Sequence, residues 1–187
     1  MSAEGKTTYR AAPFAVDVTP PGGHPIAYGV NNKTDSPLYV RGQVIDDGYS
    51  RAVFASADFI GLSDRAYSGW RRTLARVAQT PEKNVFLHAV HQHDSIYPAP
   101  AADEILKKYG FKPNVEPGYW KRITDILEKE VERCVKPGRA GRFRKADSLA
   151  VSETRLSGLA SNRRILGNDG KIRAMRWSMC DTPMRRR

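Results

Sequence analysis

The stretch from Leu38 to Phe59, LYVRGQVIDDGYSRAVFASADF, decides the fold. Apolar and polar residues alternate in its first half, which predicts a strand from Leu38 to Asp46. The second half predicts a partner strand from Arg51 to Phe59. Asp47-Gly48 is typical of the turn that joins two antiparallel strands. The stretch therefore predicts a β-hairpin.

Two long helices are predicted on either side of a central segment. Ser63 is placed to cap a helix from Asp64 to Ala78, and Pro117 is placed to begin another that ends before Pro137-Gly138. Large apolar residues recur in both at steps of three and four: Trp70, Leu74 and Val77 in the first, and Trp120, Ile123, Leu127, Val131 and Cys134 in the second. Each helix therefore presents an apolar face to a core.

Shorter segments complete the predicted fold. Further strands are expected in PFAVDVTPP (13–21), NVFLHAVH (84–91, apolar enough for a central strand), SLAVSETRL (148–156) and IRAMRWSM (172–179). A short helix is expected over 103–109, and Asn168-Asp169-Gly170 predicts a turn. The order predicts a mixed α/β fold, with layered β-sheets flanked by helices. Since the chain stops soon after a predicted strand, we expect an incomplete domain.

The charge and composition set limits on function. The chain has 187 residues and a net charge of +11, which suggests an anionic partner. Much of that charge lies in the terminal arginines and in GRAGRFRK (138–145), which is interpreted as a solvated connection. No nucleic-acid-binding signature accompanies it, so nucleic acid is not expected as a partner. The two cysteines, Cys134 and Cys180, argue against a disulfide framework, and Cys134 is expected to be buried.

The sequence contains little information on compartment. No apolar run approaches the roughly 20 residues that a membrane span needs, so no transmembrane segment is expected, and contact with a membrane surface stays open. The N-terminal residues lack the apolar core of a signal peptide, and the localisation stays unknown.

Three of the four histidines lie in NVFLHAVHQHDS (84–95). In a strand, His91 and His93 would share one face, about 6.6 Å apart, where they could bind one divalent metal ion. Alternatively, one would bind the metal while the other transfers protons. His88 would point the other way and is expected to be packed or hydrogen-bonded. Asp94 would lie on the opposite face, or would brace a histidine if the chain turns.

Several segments, in order, resemble one enzyme family. They are AVDVTPPGG (15–23), DSPLYVRGQVIDDG (35–48), RAVFASADFIGLS (51–63), PEKNVFLHAVHQHDS (81–95) and ASNRRI (160–165). Over nearly all of its length the chain resembles the N-terminal catalytic region of the neutral/alkaline non-lysosomal ceramidases, especially their uncharacterised bacterial branches. The resemblance implies that residues 1–187 form the N-terminal part of a ceramidase-like catalytic domain.

The resemblance also implies a zinc-dependent amide hydrolase acting on a small-molecule or lipid amide. His91 would bind zinc, His93 would assist catalysis beside the metal, and Arg163 would lie near the substrate oxygen. The family takes its remaining zinc ligands from sequence beyond this chain, so we expect the isolated chain to be inactive. Members of the family are often secreted or periplasmic. Asp94 stands where ceramidases have serine, which leaves the substrate open.

Two other interpretations remain. The chain could be a non-catalytic ligand-binding or remnant domain of the same fold, because the other zinc ligands are missing from it. It could instead be an anion- or nucleic-acid-binding protein, on the strength of its charge alone. Without the resemblance, Arg163 would be interpreted as a surface charge before a turn.

Overall fold

The fold is given by a computed structural model, which describes residues 8–148, 150–158 and 163–175. In chain order its elements are β1 Tyr9–Asp17, β2 Pro25–Ile26, β3 Gly29–Val30, β4 Tyr39–Asp46, β5 Arg51–Ala57, α1 Asp64–Ala78, β6 Val85–Ala89, α2 Pro100–Lys108, α3 Pro117–Val135, β7 Arg144–Ala146, β8 Arg164–Leu166 and β9 Ile172–Met175. The mixed α/β fold class is confirmed. Within those residues, no helix combines the length and apolarity needed to cross a membrane.

The predicted hairpin forms the centre of a five-stranded sheet with the order β6-β5-β4-β1-β7 in the described chain. Strands β4 and β5 are antiparallel and pair from Val40 with Ala57 to Asp46 with Arg51. The turn between them includes Gly48, whose φ of +90° is a conformation that glycine adopts without strain. The turn thus sets the register that the two strands share.

One face of this sheet is covered by α1 and α3. The apolar side chains that point to the helices form one core, which includes Phe14, Val40, Val44, Val53, Leu74, Ile123 and Leu127. The helices meet through Trp70 and Trp120, whose rings stack 4.7 Å apart. Trp70 Nε1 also donates a hydrogen bond to Thr124 Oγ1 at 2.8 Å, so the buried indole keeps a polar partner.

The other face of the sheet is exposed. Phe54 and Phe86 stack there at 4.8 Å and are 42% and 53% exposed. Strand β6 was predicted to be central, but among the described strands it lies at the edge, parallel to β5. His88 was expected to be packed or hydrogen-bonded. It shares this outer face and is exposed, so it is not packed. An apolar run alone does not distinguish a central strand from an edge strand.

Several predicted boundaries differ from the structure. Strand β1 begins at Tyr9, four residues before the predicted start, and α2 begins at Pro100 instead of residue 103. Ser63 precedes α1 as predicted, but its hydroxyl donates to the Pro98 carbonyl and does not cap the helix. Strand β7 begins within the segment 138–145 that was interpreted as a solvated connection. No strand occupies the described residues of 148–156.

The chain divides into two units, Met1–Leu149 and Ala150–Arg187. In the second unit, β8 and β9 form an antiparallel hairpin around the predicted turn at 168–170. The end of the predicted strand 172–179 lies outside the described residues, as does Cys180. Cys134, in the first unit, is fully buried as predicted.

Candidate functional site

The histidine segment lies just beyond the end of β6. Because β5 and β6 are parallel, their carboxyl termini lie at the same end of the sheet. The pairing continues for a few residues after β6: the Val90 amide donates to the Ala57 carbonyl at 3.0 Å, and the Gln92 amide donates to the Phe59 carbonyl at 3.1 Å. His91 and His93 therefore stand on a loop that is attached to the extension of β5. Polar side chains at strand ends often belong to functional sites.

His91 is fixed by one hydrogen bond and by its backbone. Its Nδ1 lies 2.8 Å from the carbonyl oxygen of Ile60. A carbonyl oxygen only accepts, so Nδ1 donates this hydrogen bond, and Nε2 is the nitrogen that is left for a metal ion. This is the arrangement found in metal-binding histidines, where the second nitrogen is held by a backbone carbonyl. The φ of His91 is +65°, so the chain turns at this residue.

The turn brings the two imidazoles together. The ring centres of His91 and His93 are 4.9 Å apart, with the planes at 82°. Two imidazoles on one tetrahedral zinc ion have centres on the order of 5 Å apart, because each nitrogen lies about 2.1 Å from the metal. Strand alternation predicted both rings on one face. The strand in fact ends at Ala89, and the left-handed turn produces the proximity.

Tyr28 also belongs to this cluster and was not predicted from the sequence. Its ring centre is 5.2 Å from that of His93, with the planes at 50°. Tyr28 lies between β2 and β3, and the neighbouring Ala27 amide donates to the Ser95 carbonyl at 2.8 Å. A tyrosine in a Gly- and Pro-rich loop carries no local signal of such a contact, which depends on two segments far apart in sequence.

A cleft of about 900 Å³ opens beside His91. Its walls combine polar groups with apolar ones. The polar groups come from the loop 31–37 and from Asp58, His91, Gln92 and Asp94, and the apolar ones include Ile26, Val30, Leu38 and Val90. Asp58 Oδ2 accepts hydrogen bonds from the Tyr39 amide at 2.9 Å and from Arg41 Nη1 at 3.0 Å, which balances its charge. Asp94 is exposed and lines the cleft. The cleft is therefore suited to the polar part of a ligand.

The fourth histidine is structural. His24 is buried, its Nδ1 bonds to the Pro25 carbonyl at 2.6 Å, and its Nε2 accepts from the Glu116 amide at 3.2 Å. The ring also packs on Tyr119 at 4.5 Å. Both nitrogens are occupied, so His24 cannot complete a metal site. Across residues 8–148, 150–158 and 163–175, no three His, Cys, Asp or Glu side chains are grouped closely enough to hold a metal ion.

Arg163 lies in the second unit, directly before β8, and is exposed. Asn162, the other half of the Asn-Arg motif, lies outside the described residues. The role of Arg163 toward a substrate oxygen stays a prediction.

Comparisons with known proteins give structural likenesses alone. No protein-family model and no curated protein matches the chain. A solved structure described as neutral ceramidase from Pseudomonas aeruginosa has a TM-score of 0.48 at 20% identity, covering 69% of this chain and 22% of that one. A second, described as ceramidase complexed with C2, has a TM-score of 0.45 at 21% identity, covering 68% and 21%. The chain thus spans about a fifth of these proteins, and such a likeness does not establish a family or an activity.

Proposed function

We propose that this chain carries part of the active site of a zinc-dependent amide hydrolase similar to the neutral ceramidases. The observation that supports the proposal is the pair of imidazoles that follows β6. The ring centres of His91 and His93 are 4.9 Å apart at the end of this strand. His91 is held through Nδ1 by the Ile60 carbonyl, so its Nε2 is oriented to bind a metal ion. The ordered ceramidase-like segments of the sequence support the same proposal.

Each residue has a distinct proposed role. His91 holds the metal ion, and His93 accepts a proton from the attacking water and returns it to the leaving amine. Arg163 stabilises the negative charge that develops on the carbonyl oxygen. A zinc ion bound here would polarise the amide carbonyl and lower the pKa of its water to about 7. The remaining zinc ligands are proposed to come from outside this chain.

The substrate is proposed to be a small-molecule or lipid amide. The polar groups in the walls of the cleft beside His91 suit the head of such a molecule. A lipid substrate would bring the protein to a membrane surface. Asp94 lines this cleft where the ceramidases have serine, and it is proposed to contribute to the choice of head group.

Zinc binding by purified variants tests the proposal. We expect weak zinc binding by the chain in isothermal titration calorimetry, and a loss of about tenfold or more in affinity for His91→Ala, because even the loss of a group that only orients a ligand costs that much. His88→Ala is the matched control, since His88 is an exposed histidine on the outer face of the sheet. Equal zinc affinity of the wild-type chain and His91→Ala would rule out the ligand assignment.

A non-catalytic ligand-binding domain is the second candidate function, favoured by a separate apolar cleft. This cleft has a volume of about 540 Å³ and is lined by Phe111, Pro113, Val115 and Trp120. Pockets of this size and character bind small molecules. Saturable quenching of tryptophan fluorescence by an apolar ligand, abolished in Trp120→Phe, together with absent zinc binding, would favour this function over the hydrolase.

A further inference from the structure

We propose that Tyr28 is the positioning residue that holds the His93 ring beside His91. Its meaning for catalysis rests on the proposed function, whereas the contact itself can be tested without any metal. Tyr28 lies in the β2–β3 hairpin, about sixty residues before the histidines, and no motif of the sequence assigns it a role.

The two histidines are held in different ways. His91 is anchored to the protein by the hydrogen bond between Nδ1 and the Ile60 carbonyl. His93 contacts two rings: that of His91 at 4.9 Å, and that of Tyr28 at 5.2 Å with the planes at 50°. Tilted contacts at these distances are favourable for aromatic rings. The Tyr28 ring therefore restricts the positions that the His93 ring can take.

The loop that carries Tyr28 is firmly attached on both sides. Toward the histidines, the Ala27 amide donates to the Ser95 carbonyl at 2.8 Å. Toward the core, the Asn31 amide donates to the His24 carbonyl at 2.9 Å, and Asn31 Nδ2 donates to the Pro20 carbonyl at 2.7 Å. These bonds hold the hairpin at a set distance from the histidine loop, so the position of Tyr28 is determined by the fold.

The exposure of Tyr28 supports a role at the site. The residue is 70% exposed, so it contributes little to the core, yet its ring is directed against His93. A proton-transfer group works only when it is held within hydrogen-bond reach of the reacting atom. Since the contact is made by the ring, Tyr28→Phe should preserve the position of the His93 ring and Tyr28→Ala should not.

Nuclear magnetic resonance of the intact chain tests the proposal in the absence of metal. In the wild-type chain we expect nuclear Overhauser effects between the His93 ring and the rings of both Tyr28 and His91. In Tyr28→Ala the effects between His91 and His93 should be lost, and the His93 ring-proton shifts should move toward those of a free imidazole. Tyr28→Phe should retain both signatures. Tyr49→Ala, which removes a tyrosine that is 92% exposed in the β4–β5 turn, is the matched control and should change neither.

Two results would overturn the inference. One is a nuclear Overhauser effect between the His91 and His93 rings that is unchanged in Tyr28→Ala. The other is a loss of this nuclear Overhauser effect that is equal in Tyr28→Phe and Tyr28→Ala. Zinc affinity separates this role from that of the metal ligand. It should be retained in Tyr28→Ala, because His93 is proposed to transfer protons and not to bind the metal ion, whereas it should fall in His91→Ala. If zinc affinity is equal in the wild-type chain and His91→Ala but the ring contacts behave as expected, the proposed metal-binding role fails and the positioning role of Tyr28 stands.

Discussion

The two ends of the five-stranded sheet differ in how completely their polar side chains are partnered. At the end with the β4–β5 turn, Asp46 is buried and its carboxylate accepts hydrogen bonds from Arg10 at 2.9 Å and Arg51 at 3.0 Å. At the other end, where β6 stops, His91 makes one hydrogen bond and His93 contacts two rings, and both side chains are exposed. The carboxylate at one end is paired inside the protein, whereas the imidazoles at the other end are exposed.

The electrostatics of Asp46 show what the partnered end provides. Burial alone would raise the pKa of its carboxyl. The hydrogen bonds from the Gly48 amide and from Arg51 and Arg10 outweigh that effect and hold the pKa of Asp46 below its usual value. The ion pairs of Asp46 therefore contribute to the stability of the fold, whereas His91 and His93 at the other end have no such ion pair among the described residues.

The largest expected effect is that of removing the buried carboxylate. Asp46→Ala should lower the free energy of unfolding by about 2 to 3 kcal/mol, because it leaves two arginines without their buried partner. Asp94→Ala at the other end is the matched control and should change it by less than about 0.5 kcal/mol, since Asp94 is exposed. Urea denaturation measures both. Equal effects at the two ends would contradict the comparison.

Acid should reduce the stability that Asp46 contributes at the end of the sheet with the β4–β5 turn. The folded-state pKa of Asp46 lies below its unfolded value of about 3.9, so its contribution to stability is present above that pH and is lost as the pH falls through the folded pKa. Unfolding measured from about pH 5 to pH 2 should show this loss, and Asp46→Asn should lose less stability over the same range. Parallel curves for the two proteins would show that Asp46 titrates alike in the folded and unfolded chains.

A smaller effect is expected from the backbone of the turn. Gly48 has a φ of +90°, so Gly48→Ala should cost about 1 to 2 kcal/mol of unfolding free energy. A methyl group added at Gly69, in the middle of α1, would stand in open space, and Gly69→Ala should instead raise stability by up to about 1 kcal/mol. Thermal denaturation of Gly48→Ala and Gly69→Ala measures whether each substitution lowers or raises the stability. If Gly48→Ala caused no loss of stability, the turn would not require the positive φ that glycine adopts.

The smallest effect concerns His91 itself. Its φ of +65° disfavours any residue with a side chain, so His91→Gly should be about 1 kcal/mol more stable than His91→Ala, while both variants lose zinc affinity. Chemical denaturation and zinc titration of the same two variants measure both quantities. If His91→Gly is no more stable than His91→Ala, the backbone at His91 is not strained.

The local elements were predictable where the pattern was strong. The hairpin followed from alternation around Asp47-Gly48, and α1 was predicted with its observed bounds, Asp64–Ala78, from the spacing of Trp70 and Leu74. Strand β1 was cut short in the prediction, because its first residues, Tyr9 to Ala12, showed no recognised pattern. The position of β6 at the sheet edge depends on which strand lies beside it, which local hydrophobicity does not encode.

The candidate site was predictable only in part. The sequence drew attention to His91 and His93, and the structure shows their rings side by side, but for a reason other than strand alternation. The left-handed turn at His91 and the contact of Tyr28 with His93 had no local signal. The roles of His91, His93 and Arg163 stay predictions that the zinc and variant experiments test.

The amino-acid sequence by itself determined the hairpin, the two long helices and the clustering of histidines, because each depends on residues that are near one another in the chain. Only the tertiary structure decided that the His91 ring is held by the Ile60 carbonyl, that His24 is sealed in the core, and that Tyr28 lies against His93. Those contacts join segments that are brought together by burial of the apolar faces of the sheet and helices, a force that depends on the whole fold.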